Sequence, residues 1–229
     1  MNNVTNKIRS KGYWDISIRP QSFVKDRMDY AELEELLRQV TVRFRGWPVP
    51  YVDHRKVPRR GDEWIGQDID ADVVTHIEAW RFFRSGQFNH LRAVSADWRT
   101  GSEATPVPHG FEAVIEVWEI LFYLTEVFEI AARLALSSAG DDMMTVGVGL
   151  YGLDKRALVV GQRSRAEFMK PYGPVATPLI REVTLPREQL VAEARTQAVD
   201  MSRDYFSRFG WNVSREQLSE HQSELTSMR

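Results

Sequence analysis

The sequence predicts an α+β fold, a single domain with a mixed, mostly antiparallel sheet, hairpins and one long central helix. Three features point there. Runs in which apolar and polar side chains alternate recur from Tyr13 onward. Glycine-centred turns at Ser85-Gly86-Gln87 and around Gly152 separate strand-like runs, and one long apolar stretch, 110–138, repeats at helical spacing. Hairpins outnumber strand-helix-strand units, so a doubly wound nucleotide fold is not indicated. The 229 residues, 43% hydrophobic and 27% charged, suit one globular core rather than a disordered chain. The expected organisation is a flexible N-terminus over 1–10, the domain over 11–211, and a short C-terminal helix or tail over 212–229.

Taken in order, "YWDISIRP" alternates Trp14, Ile16 and Ile18 with Asp15, Ser17 and Arg19, the pattern of a half-buried strand that Pro20 ends. Asp29 caps the helix "YAELEELLRQV", whose Leu33, Leu36, Leu37 and Val40 share a face. "TVRFRG" alternates again and predicts a strand, after which Pro48, Pro50 and Pro58 impose a loop over 47–61. "WRFFRSGQFNHL" reads as a hairpin rather than as a helix from Val73 ended by Gly86, because Phe82, Phe83 and Phe88 favour strands. A three-residue turn sets His90 opposite Phe82, with Trp80, Phe82 and His90 on one face and Phe83 and Leu91 on the other. Aromatics on both faces predict cover on both, one by the long helix and the other by the Pro-rich loop with Trp47 or Trp64.

The stretch 110–138 predicts that helix, with Leu121, Leu124 and Phe128 in the core and a polar stripe of Glu112, Glu116, Glu119, Glu126 and Arg133. "MMTVGVGLYGL" and "RALVVG" predict a second hairpin, and "PLIREVTL" a further strand. Pro186 opens a helix that Gly210 stops, and Ser214 with Gln217 has capping-box spacing for a last one.

Lys and Arg number 30 against 32 Asp and Glu, a formal net charge of -2, so any nucleic-acid binding has to come from a local basic patch. Cysteine is absent, which excludes disulfides, thiolate nucleophiles and cysteine zinc cages and leaves His and carboxylates as the strong metal ligands. "MNNVTNKIRSKG" has no apolar run of the kind a signal peptide uses. Four glutamates, Glu116, Glu119, Glu126 and Glu129, argue against a membrane span at 114–136. A soluble, cytoplasmic protein is expected.

The blocks "RGWPVP", "DEWIGQD", "EAWRFFRSGQFNHL" followed by "DW", and "FEIAARLAL" resemble those of a set of functionally uncharacterised bacterial proteins of about this length. The resemblance spans most of the chain, implies a bacterial source and carries over no catalytic residue.

The glycines of "VGVGLYGLDKR" lack the helix start that a phosphate loop needs, since Leu158 to Val160 continue as strand. Acidic and imidazole ligands are available at Asp53, His54, Asp62, Glu63, Asp68, Asp70, His76, Glu78 and His90. His76 and Glu78 share a strand face and, with His90, form the alternative metal set of a hydrolase or nuclease. However, the expected register holds His90 away from His76, and "EAW" has Trp80 where a nuclease needs Lys, so no bound metal or cofactor is expected. The long helix lacks the inward Glu-x-x-His motifs of a bundle metal site, Glu129 and Arg133 make an i,i+4 pair, and no nucleophile elbow occurs. The remaining signal is a cluster of Arg and Trp: Arg45, Trp47, Arg59, Arg60, Trp64, Arg81 and Arg84. Arg pairs with phosphate or carboxylate while exposed rings stack or anchor a partner. The expectation is a non-enzymatic binding protein with this loop and hairpin as its contact surface for an anionic ligand, nucleic acid or protein. The alternatives are the hydrolase at His76 and Glu78, or a structural homo-oligomer subunit.

Overall fold

The computed structural model describes residues 3–71, 76–161, 166–174 and 177–227, among which lie five α-helices and nine β-strands. The N-terminal stretch expected to be flexible holds a helix, α1 (Asn3–Arg9), because Ile8 finds an apolar patch and is fully buried. β1 (Tyr13–Pro20) buries Trp14, Ile16 and Ile18 in strict alternation. α2 (Tyr30–Val40) buries Leu33, Leu36, Leu37 and Val40, and its capping residue Asp29 donates its amide to Glu32 Oε2 at 3.1 Å. "TVRFRG" does not form the expected strand. Val42 exchanges both backbone hydrogen bonds with Val49 (3.0 and 2.8 Å), and Gly46 at φ 81° turns the chain back before a strand can extend.

After the Pro-rich loop come β2 (Arg59–Arg60), β3 (Trp64–Ala71), β4 (His76–Phe83) and β5 (Phe88–Ala93). The β4–β5 hairpin is present and the rival helix is not, although its first residues, Val73 to Thr75, lie outside the described residues. Its register differs from the expected one. Phe83 donates to the carbonyl of Gln87 at 2.8 Å, with Gly86 at φ 87°, so Phe82 faces Phe88 and His90 faces Trp80. Because the shift is two residues, the faces are preserved: Trp80, Phe82 and His90 still point together.

The apolar stretch at 110–138 divides. Its β-branched start is a strand, β6 (Ala113–Glu116), and the helix α3 (Val117–Ala135) begins only afterwards. β7 (Met143–Tyr151) and β8 (Arg156–Val159) make no hairpin. β1 already flanks β7 on one side and β9 (Leu179–Pro186) on the other, so β8 crosses to pair in parallel with β6. α4 (Arg187–Arg208) follows Pro186 and stops before Gly210 at φ 82°, and α5 (Arg215–Ser227) starts with Ser214 Oγ accepting the amide of Gln217 at 3.2 Å.

The main sheet has the order β2-β3-β4-β5-β1-β7-β9, with every pairing antiparallel. One face packs under α3, where Leu121, Leu124 and Phe128 are buried among Trp14, Ile16, Trp80 and Phe82. On the other face α1 covers Ile77, Ala79 and Ala93, the place expected for the Pro-rich loop. The loop lies instead on the α3 face, bound to Glu78 and Trp80. Among the described residues no helix is long and apolar enough to cross a membrane.

Candidate functional site

The loop between α2 and β3 is fixed from below by polar side chains of the sheet. Gln67 of β3 accepts the amide of Asp53 (2.9 Å) and donates to the carbonyls of Asp53 (3.1 Å) and Lys56 (2.8 Å), a double role that a primary amide can fill. Glu78 accepts the amide of Tyr51 at 2.5 Å, and the Trp80 indole donates to the Tyr51 carbonyl at 2.9 Å. Held this way, the loop keeps large apolar groups in solvent: Trp47 is 51% exposed and Val57 83%. The Trp47 ring lies 6.2 Å from Tyr51, which lies 5.9 Å from His76, so three rings lead inward from the surface. Residues 41–60 carry six Lys or Arg (Arg43, Arg45, Arg55, Lys56, Arg59, Arg60) against the one acid Asp53.

The structure separates the predicted contact residues into two groups. Trp47, Arg59 and Arg60 lie on the outside, Arg59 3.2 Å from Asp68 and Arg60 3.1 Å from Glu34. The others are engaged in the fold. Arg45 reaches under the loop to the fully buried Glu126, donating twice at 2.8 and 2.5 Å. Arg81 donates to Asp68 (2.7 Å) and to the carbonyls of Gln67 and Trp80, with its guanidinium 4.7 Å from the Trp64 ring. Arg84 pairs with Asp26 at 2.6 Å, donates to the Met28 carbonyl at 3.0 Å and stacks 5.3 Å from Tyr30. Arg81, Arg84 and Trp64 therefore tie the hairpin to its neighbours.

The alternative residues come together below the loop. His76 Nε2 lies 2.5 Å from Glu78 Oε2, and His90 Nε2 lies 3.3 Å from the same oxygen. The expected register keeps His90 away, and the two-residue shift is what brings it in. Burial opposes the Glu78 charge, but the two imidazoles outweigh it and hold the carboxyl far below its ordinary range. On the other side His90 Nδ1 shares a hydrogen bond of 2.9 Å with Tyr123, whose phenol burial pushes well above its usual value. Arg92 lies 4.7 Å from the Tyr123 ring, and Glu119, one turn earlier on α3, accepts the Ser95 amide at 3.1 Å. Both imidazoles are aimed at the carboxylate. Among the described residues no group of three or more His, Asp or Glu is arranged to hold a metal ion.

Comparison with protein-family models, curated proteins and solved structures gives no match. The chemistry is therefore read from the side chains alone. The buried Glu78 carboxylate lies between two imidazoles, one of which is hydrogen-bonded to the Tyr123 phenol, and fixes the loop above it through the Tyr51 amide. The outer loop presents Trp47, Arg55, Lys56 and Val57 to solvent. Sequence reasoning passes over Gln67, Tyr51, Arg92 and Tyr123. The available signal, for Tyr123, is the spacing 116, 119, 123, 126 across the end of β6 and α3, a polar stripe at the same intervals as the apolar one.

Proposed function

We propose that this is a binding protein that takes an anionic partner, single-stranded nucleic acid, on the loop over 41–60. The observation that carries the reading is five exposed cations, Arg43, Arg55, Lys56, Arg59 and Arg60, on the loop that also exposes half of Trp47 and is already fixed by Gln67 and Glu78. Cations track phosphates while an exposed ring offers a stacking platform for bases. A loop fixed in advance loses little entropy on binding. In a chain of net charge -2, such a patch is local, so binding depends on it rather than on a global field.

Fluorescence anisotropy of a labelled single-stranded oligonucleotide tests this. Affinity is expected to fall steeply with salt, and Trp47→Ala to weaken it about tenfold at fixed salt. Absence of binding at low salt, or an unchanged affinity in Trp47→Ala, overturns the reading. The convergence of His76, Glu78 and His90 favours a second reading, a hydrolytic centre. Near-stoichiometric zinc or manganese by elemental analysis, lost in His76→Ala, would promote it.

A further inference from the structure

A cavity of about 260 Å³ opens between α2 and the outer loop, lined by Leu37 of α2 and by Val52, Asp53, His54, Lys56 and Pro58 of the loop, among others. Leu37 is buried and Val52 half-buried, so the floor is apolar, whereas His54 and Lys56 stand exposed at the mouth. The walls are set by contacts within the fold. Gln67 accepts the Asp53 amide at 2.9 Å and donates to the Lys56 carbonyl at 2.8 Å, which fixes the loop side. Arg60 pairs with Glu34 at 3.1 Å and joins the end of the loop to α2.

Size, lining and charge together define the occupant. A cavity of roughly 150 Å³ already holds a benzene ring, so 260 Å³ takes a flat heterocycle of one or two rings. Most charges at the mouth are matched: Arg60 by Glu34, and Arg38 by Glu35 of its own helix. Asp53 is the exception, because its single carboxylate has two cations beside it, Arg55 at 3.0 Å and Lys56 at 3.8 Å. One positive charge is therefore in excess there, enough for one phosphate. Both cations are largely exposed, 86% and 70% of their side chains, and ion pairs so placed in water are weak enough to exchange partners. A nucleobase has the matching form: apolar faces for the floor and a ring such as His54, and a polar edge for the mouth. Single-stranded nucleic acid is recognised in this way, by bases splayed out, stacked on side-chain rings and bonded along their edges.

We propose that this cavity takes one unstacked nucleobase, its ring over Leu37 and Val52 and against His54, with its phosphate on Arg55 and Lys56. The assignment rests on the reading of the loop as a nucleic-acid surface and adds to Trp47 a place where a base is enclosed. The test titrates the full chain, labelled at its Leu and Val methyls, by NMR with adenosine 5′-monophosphate and with ribose 5-phosphate, which carries the phosphate and sugar without the base. The nucleotide is expected to shift the methyls of Leu37, Val52 and Val57 saturably, with ribose 5-phosphate about tenfold or more weaker. His54→Ala should weaken the nucleotide about fivefold and leave ribose 5-phosphate and the melting temperature unchanged. Arg55→Ala with Lys56→Ala should weaken both probes alike. Equal response to the two probes, shifts confined to the surroundings of Trp47, or no saturable shift at those methyls overturns the assignment. Oligonucleotide binding that persists in anisotropy would then leave the reading of the loop in place, whereas nucleotide in the cavity with no oligonucleotide binding would keep the cavity and remove that reading.

Discussion

Two stripes, an apolar one and one of carboxylates that starts at Glu116 in the last position of β6, run along α3, and both are buried, yet they are held by different forces. Leu121, Leu124 and Phe128 lie in the same buried core as Trp14, Ile16 and Trp80, where any apolar group of similar shape would serve. Glu116, Glu119 and Glu126 are 0% exposed, and each depends on a named partner: Arg99 at 2.7 Å, the Ser95 amide at 3.1 Å and Arg45 at 2.8 Å. The apolar stripe tolerates change in proportion to the volume removed. The carboxylate stripe answers to whether its partner is present, since an uncompensated buried charge costs more than the pair contributes.

The largest expected effect is on the apolar side. Phe128→Ala should cost about 3 to 5 kcal/mol in urea denaturation, with little dependence on pH or salt. A cost under ~1 kcal/mol would move α3 to the surface and dissolve the comparison. On the polar side, Arg45→Ala should cost about 3 kcal/mol, and the double variant Arg45→Met, Glu126→Leu should recover most of it, because the penalty comes from stranding Glu126. If the double variant is as unstable as the single one, the pair contributes more than charge compensation and the two stripes are alike.

The third effect is read as a pH dependence. Glu78 has a folded pKa below its unfolded value, so its charge stabilises the fold fully above the ordinary Glu range of about 4.3. As pH falls below that, the unfolded chain takes up a proton that the folded chain refuses, and stability declines toward the depressed folded value. Glu78→Gln should therefore be less stable at pH 7, by roughly 1 to 3 kcal/mol, and lose stability less steeply between about pH 5 and 3. Parallel acid limbs for the two proteins in urea midpoints would show that Glu78 is not the group responsible.

The stripes also differ in how far they are legible in the sequence. β1, α2 and the apolar face of α3 follow from periodicity, because burial there is one-sided and repeats with the element. The split of 110–138 into β6 and α3 is not legible, since an apolar run buried on every side has no period to mark the change. β8 cannot be placed from the letters because its partner is remote in sequence, with the whole of α3 and β7 between Ala113 and the Arg156 it faces across the parallel pair. At the candidate site, Trp47 and the loop are legible from Pro and Arg composition, but the direction of each Arg is not. Arg45 and Arg59 look equivalent as letters, and only the tertiary position of Glu126 turns one inward.

The smallest effect on stability separates two arginines, one from the hairpin and one from the loop. Arg84 keeps only 20% of its side chain exposed and is bound to Asp26 and the Met28 carbonyl, whereas Arg55 is 86% exposed beside Asp53. Arg84→Ala should cost about 1 to 2 kcal/mol, the worth of its charged hydrogen bonds, and leave oligonucleotide affinity per folded molecule unchanged. Arg55→Ala should stay within about 0.5 kcal/mol of the parent, yet make the salt dependence of binding shallower by about 0.7, the share of a single phosphate on a single strand. The two measurements cross, so either order is informative. If Arg84→Ala weakens binding while Arg55→Ala does not, the hairpin rather than the loop faces the partner, and the inward pairing of Arg84 must open for binding to occur.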